Sequence, residues 1–241
     1  MRLGMLIIGA LYWDRCRVRC RWRQNRLACN EQHRVKVPIR YGKKSDKRNK
    51  TYTMVFAGSC SQEAKLGTGL IIPARAECCE PEHLFDEAEH LRAAEQDKEE
   101  IGSLCAGWGK VCVLKNPKVD LDNRIVQAWQ ARVRTIGSKY TALPTANGED
   151  SILDATTGLA LFEWPKDAAS KQDLVGFDLL LMTVTMPTLD AGEYPTVNQI
   201  ARAWRADTHN NVLYFYNNRH YGITTFQDDQ IQALLSGEPE V

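Results

Sequence analysis

The sequence has no hydrophobic run long enough to cross a bilayer: its longest, Leu3 to Trp13, is 11 residues where about 20 are needed. Glycine and proline are sparse, 16 and 9 of 241 residues, which excludes a collagen-like or low-complexity chain. Charge of one sign is not in excess either, with 31 Lys and Arg against 30 Asp and Glu. The standard catalytic signatures are missing as well: no Gly-x-x-x-x-Gly-Lys phosphate loop, no Gly-x-Gly-x-x-Gly, no His-Glu-x-x-His and no Gly-x-Ser-x-Gly. What remains is an ordinary globular composition, 44% hydrophobic and 25% charged, in a chain large enough for a substantial core.

The balanced charge conceals an asymmetry. Residues 1–50 hold 15 Lys and Arg against three acids, so the excess of negative charge lies in the rest of the chain. Leu3 to Trp13 has the length of a signal-peptide core. However, no small-x-small cleavage site follows it, and Arg15, Arg17, Arg19, Arg21 and Arg23 come next. The chain therefore reads as cytoplasmic. None of its eight cysteines forms a Cys-x-x-Cys pair, and no histidine stands at ligand spacing to Cys16 and Cys20 or to Cys78 and Cys79. Reduced thiols in a cytosolic protein, and no zinc site, are the expectation.

Residues 3–10 read as a buried strand. In Arg15–Arg23 the arginines alternate with Cys, Val and Trp as on one face of a strand. Val18, Trp22 and Leu27 also approximate a helical stripe, so periodicity leaves both readings open. A basic loop at 42–50 precedes a strand pair, Tyr52–Phe56 and Gly69–Pro73. Pro81 to about Lys98 is a helix with proline in its first turn, followed by a strand at Trp108–Leu114 and an amphipathic helix at Asp122–Ile136. The polar stretch 138–151 reads as a linker. Beyond it, strands are expected at Gly158–Trp164, Phe177–Thr185 and Val212–Tyr216. Thr196-x-x-Gln199 and Thr224-x-x-Gln227 read as capping boxes opening two helices. The class is mixed α/β or α+β, divided at the linker into 1–140 and 150–241, the second possibly packed with the first as one unit.

The segment Leu6-Ile7-Ile8-Gly9-Ala10-Leu11-Tyr12-Trp13 resembles the opening strand and turn of the gamma-glutamylcyclotransferase-like proteins. Their signature is Tyr-Gly-Ser followed by Asn or Leu, often with a nearby Trp. The signature Tyr and Ser are replaced here by Ile8 and Ala10, while Gly9 and Leu11 match. The resemblance covers roughly residues 5–115 and implies a small cyclotransferase-like β-barrel with flanking helices, extended by α/β structure after residue 150. It implies that the amides of Gly9, Ala10 and Leu11 bind the substrate carboxylate, as strand-end nests do. In the family's Leu-x-x-x-Glu context stands Leu91-Arg92-Ala93-Ala94-Glu95, which makes Glu95 the implied catalytic base. The implied reaction is cyclisation of a gamma-glutamyl amine or peptide to 5-oxoproline, without metal or cofactor. Its base must be a partly desolvated carboxylate.

A second reading is a non-catalytic binding protein. The basic segment resembles the electrostatic footprint of a nucleic-acid contact, with Arg15, Arg19, Arg23, Arg40, Lys44 and Arg48 as candidate phosphate ligands. Trp13, Trp22, Tyr41 and Tyr52 are interleaved for stacking. The same cations are also suited to docking an acidic protein partner, or to pairing with the acid-rich stretch 80–100 of their own chain. Asp207 and His209 form a candidate acid–base pair, and Asn217 and Asn218 are candidate ligand contacts at a strand end. His83 and His90 read as a solvated helix face.

Overall fold

In the computed structural model, residues 1–45, 48, 50–120, 123–141, 150–207, 209 and 211–237 are described. The order of elements is β1 (Leu3–Ile7), α1 (Arg17–Arg26), β2 (His33–Val37), β3 (Ile39–Lys44), β4 (Tyr52–Phe56) and β5 (Gly67–Pro73). There follow α2 (Pro81–Gln96), β6 (Cys105–Ala106), β7 (Gly109–Lys115), α3 (Asn123–Ile136) and α4 (Ser138–Thr141). The chain continues with β8 (Leu153–Asp154), β9 (Leu159–Ala160), β10 (Lys166–Asp167), β11 (Leu179–Thr185), α5 (Val197–Arg205), α6 (Leu213–His220) and α7 (Asp228–Ser236). The class is mixed α and β, as the alternation of periods in the sequence implies. Among the described residues no helix is long and apolar enough to cross a membrane.

One mixed sheet runs β10-β2-β5-β1-β11-β7-β9-β8, with β6 paired to β7, while β3 and β4 form a separate hairpin. At its centre β11 pairs in parallel with β1 and antiparallel with β7. Their near-continuous apolar runs are what a sheet covered on both faces requires. Alternation along these strands sends Leu3, Met5, Ile7, Val111, Val113, Leu179 and Leu181 to one side, against α2 and α3 through Leu84, Leu91, Trp129 and Val133. Leu6, Cys112, Leu114, Leu180 and Met182 go to the other, against the β3–β4 hairpin and α5–α7 through Tyr41, Phe56, Trp204, Phe215 and Ile231. Each such aliphatic side chain contributes roughly 1.5–3 kcal/mol when fully buried, so these two cores dominate the fold. Gly4 is required at the crossing, since a Cβ there would lie 2.7 Å from Leu180 Cδ2 and 2.9 Å from Ile71 Cγ2.

Several expectations are corrected. Val212–Tyr216 is not a strand: its aromatic residues favour one, but Tyr214, Phe215 and Asn218 are buried on one side of helix α6. Gly158–Trp164 shrinks to the two-residue β9. Tyr52–Phe56 and Gly69–Pro73 are strands but not partners, since β4 pairs with β3 and β5 with β1 and β2. The ambiguous arginine stretch is helix α1, with Trp22 buried and Arg15, Arg17 and Arg21 exposed. The Thr196/Gln199 capping box is present. The Thr224/Gln227 box is not: α7 begins at Asp228, its N-cap Gln227 makes no side-chain cap bond, and Asp228 Oδ1 instead accepts the Thr225 N–H at 2.9 Å. Of the expected linker, 138–141 is helical and 142–149 lies outside the described residues, as do 46, 47 and 49 of the basic loop and 121–122 before α3. β11, from the C-terminal portion, is the strand between β1 and β7, so the 150–241 segment shares its sheet with the first portion.

Candidate active site

After Ile7 the chain leaves the sheet through a tight turn. The Tyr12 N–H donates to Gly9 O at 3.1 Å and the Asp14 N–H to Ala10 O at 2.8 Å. Asp14 Oδ1 then accepts the Cys16 N–H at 2.9 Å, and α1 begins. Four residues apart on α1, Arg19 and Arg23 reach back toward this turn. Arg23 donates to Leu11 O and to Asp14 O, both at 2.6 Å. With the turn's carbonyls occupied in this way, the N–H groups of Gly9, Ala10 and Leu11 find no acceptor among the described residues. Gly9 and Leu11 are buried, so these amides carry a real demand for a partner.

Glu95 stands in the last turn of α2, facing the same region. Its Oε1 accepts the Thr183 hydroxyl of β11 at 3.0 Å, and its Oε2 lies 3.6 Å from Arg19 Nη2. Arg19 also caps the carboxyl end of α2, donating to Ala94 O at 3.1 Å and Glu95 O at 3.0 Å, where the helix dipole favours a cation. Its other amino group binds Asp14 Oδ2 at 2.7 Å. The Arg19 side chain is 11% exposed, that of Glu95 25% and that of Asp14 27%. The turn and the candidate base are therefore joined by one guanidinium, in a partly desolvated setting that strengthens each contact.

Helix α6 closes the other side. Tyr214 Oη accepts the Met54 N–H at 3.2 Å and sits 2.6 Å from where a Cβ at Gly9 would be. Trp13 packs edge-on against Tyr214, and its Nε1–H donates to Asn218 Oδ1 at 2.6 Å. Burial raises the pKa of Tyr214, with the charge of Glu95 adding in the same direction, so the phenol is neutral. Beside it opens a cavity of about 390 Å³ walled by Trp13, Asp14, Arg15, Arg48, Tyr214 and Tyr221. Arg48 lies 3.7 Å from Asp14 Oδ2 with its guanidinium over the Tyr214 ring.

Of the residues singled out in the sequence, Gly9, Ala10, Leu11, Arg19, Arg23 and Glu95 meet around the turn, and Arg15 and Arg48 flank the cavity. Arg40 is engaged elsewhere, stacked 4.1 Å from the Tyr194 ring, and the Lys44 ammonium lies 5.7 Å from the ring of Tyr52. His209 N–H donates to Asp207 Oδ1 within a local loop. Asn218 lies on α6 rather than at a strand end, and there it holds Trp13; Asn217 lines the cavity. His90 contacts Asp86 of its own helix α2 and Arg26 of α1. Sequence reasoning missed Asp14, Thr183 and Tyr214. Asp14 directly follows the quoted segment, but nothing local marks the other two. All eight cysteines are free thiols, and among the described residues no three His, Cys, Asp or Glu side chains gather as a metal site. No family model, curated protein or solved structure matches the chain.

Proposed function

We propose that the chain is an enzyme of the gamma-glutamyl cyclotransferase type, built on a cyclotransferase-like barrel and acting on a gamma-glutamyl amine or peptide in the cytoplasm. The observation that carries this reading is the connection of unclaimed turn amides, at Gly9 to Leu11, to the Glu95 carboxylate through Arg19 and Asp14. In the proposed reaction the substrate carboxylate is held by the turn amides. Its α-ammonium gives a proton to Glu95, and the freed amine attacks the γ-carbonyl. The new C–N bond closes the ring, the amide C–N bond breaks, and the proton held by Glu95 and the second proton of the attacking nitrogen both pass to the departing amine, which leaves as its ammonium while the ring nitrogen ends as the neutral lactam N–H of 5-oxoproline. Arg19 and Thr183 are positioning residues, each holding one oxygen of Glu95. Orienting the two reacting groups of one substrate molecule supplies the remaining advantage.

Glu95→Gln keeps the shape of the side chain and removes the base. Release of 5-oxoproline from a panel of gamma-glutamyl amino acids, peptides and amines is expected to fall by a factor of about 100 or more, with the melting curve unchanged. Turnover equal to wild type would remove Glu95 from the reaction. A wild-type chain inert toward the whole panel would overturn the reading itself.

A further inference from the structure

We infer that the cavity at the β10 edge of the sheet is a binding site for a nucleoside monophosphate, separate from the turn and from Glu95. It encloses about 470 Å³ between the end of β2, residues 61–66 and residues 162–171, a size suited to a small organic ligand. Three lysines line it, Lys36, Lys166 and Lys171. Lys36 and Lys166 are direct partners in the antiparallel pairing of β2 with β10. Directly opposed residues project from the same face, and like charges so placed repel. Among the described residues no carboxylate pairs with Lys36 or Lys171. Asp173, which faces Lys166 across its other flank, is shared with Lys118, whose Nζ lies 2.7 Å from its Oδ2. Lys36 donates to the Thr68 hydroxyl at 3.3 Å, a neutral partner that leaves its charge unmatched. An anion seated among the three lysines offsets this repulsion.

The rest of the lining selects the kind of anion. Phe162 is half-buried and stacked on Phe56 of the core, with ring centroids 5.6 Å apart and planes at 16°. With Pro38 and Leu66 it gives the cavity an apolar wall on which a planar base can stack. Glu63 and Glu163 add two exposed carboxylates, which accept hydrogen bonds and donate none when ionised. A nucleoside monophosphate answers each of these groups. Its phosphate meets the lysines, which bind phosphate as point charges, its base meets the Phe162 ring, and its sugar hydroxyls donate to the carboxylates. Inorganic phosphate leaves the apolar wall uncovered. A polynucleotide is disfavoured, because its further phosphates add negative charge beside Glu63 and Glu163.

The test is calorimetric titration of the full chain with AMP, GMP, CMP and UMP, with the four parent nucleosides and with inorganic phosphate. At least one monophosphate is expected to bind at one site per chain, about tenfold or more tighter than its nucleoside or inorganic phosphate. Lys166→Gln and Lys171→Gln alter exposed side chains, so both variants should fold, and each should weaken that binding about tenfold. Phe162→Leu should weaken the monophosphate by a similar factor and leave the response to inorganic phosphate unchanged. Failure of all four monophosphates to bind at millimolar concentration would overturn the inference. So would inorganic phosphate binding as tightly as any of them, which marks an anion site without a place for the nucleoside. Affinity unchanged in both lysine variants would put the ligand elsewhere and overturn it too. A single-stranded oligonucleotide that bound more tightly than every mononucleotide would likewise replace this site with a polynucleotide surface.

Discussion

Glycine at position 9 is dictated by one atom far along the chain. Its φ is not in the left-handed region, so an alanine could adopt the backbone. The obstacle is Tyr214 Oη at 2.6 Å from the added Cβ, whereas the next ring atom, Cζ, is at 3.5 Å, an ordinary contact. Gly9→Ala is therefore expected to destabilise the chain by about 1–3 kcal/mol through overpacking. Tyr214→Phe alone should cost about 1–3 kcal/mol by leaving the buried Met54 N–H unpaired. Together the two should cost less than their sum by about 1 kcal/mol or more, since Phe removes the atom with which alanine collides. Urea unfolding of the four proteins checks this, and strictly additive losses would contradict the geometry. The same pair shows the limit of reading a site from sequence. Gly9 to Leu11 and Glu95 were singled out through the family resemblance, as a turn after an apolar strand and an acid near a helix end. Tyr214 and Thr183 meet them only through tertiary contacts, which leave no periodicity behind.

At the scale of elements, two of the ion pairs that α1 makes, one with α2 and one with the residues just beyond it, differ in character. Arg21 and Glu99 meet at 3.0 Å with side chains 49% and 60% exposed. Arg26 reaches Glu87 at 2.9 Å, and there the carboxylate is only 6% exposed. Burial raises the Glu87 pKa, and the adjacent Arg26 offsets part of that rise. Arg21→Ala should cost below about 1 kcal/mol. Arg26→Ala leaves a buried carboxylate uncompensated and should cost about 3 kcal/mol at neutral pH. The sign of its pH dependence follows. With the folded pKa of Glu87 raised above its unfolded value, the native state binds more protons through that window, so stability falls as pH rises through it. The deficit of Arg26→Ala should thus be smallest near pH 4 and widen toward neutrality, while that of Arg21→Ala stays small. Melting curves across pH test this, and a deficit independent of pH would show that Glu87 is not the group left exposed to burial. Helix α1 itself was half-legible. Its alternating arginines fit a strand until Arg19 and Arg23, one helical turn apart, find the carbonyls at the end of α2 and in the turn. Helix α6 was misread for a related reason, because aromatic residues suit either element and only burial chooses. By contrast β1, β7, β11, α2 and the α5 cap were legible, being long apolar runs or exact pairings of cap residues.

For the molecule as a whole, the question is what the asymmetric charge of the first 50 residues does. In the folded chain much of it is matched internally: Arg17 and Arg21 with Glu99, Arg19 with Asp14 and Glu95, Arg26 with Asp86 and Glu87, and Arg2 with Glu31. The cations that flank the cavity, Arg15 and Arg48, stand beside Asp14 rather than alone. A surface that neutralised six to ten phosphates would show a steep salt dependence, with a log–log slope of about 0.9 for each phosphate on duplex DNA. Internally paired arginines release no counterions on contact. Fluorescence-anisotropy titrations of the full chain with single-stranded RNA and duplex DNA at 50 and 200 mM salt are therefore expected to show weak binding with a slope near zero to two. A slope of six or more, reduced by about one in each of Arg15→Ala and Arg48→Ala, would instead establish a nucleic-acid surface. Stability separates the paired from the exposed arginines: Arg19→Ala should lower the melting temperature, since it breaks contacts to Asp14, Glu95 and the end of α2 together, whereas Arg15→Ala, exposed at the rim of the cavity, should leave it unchanged.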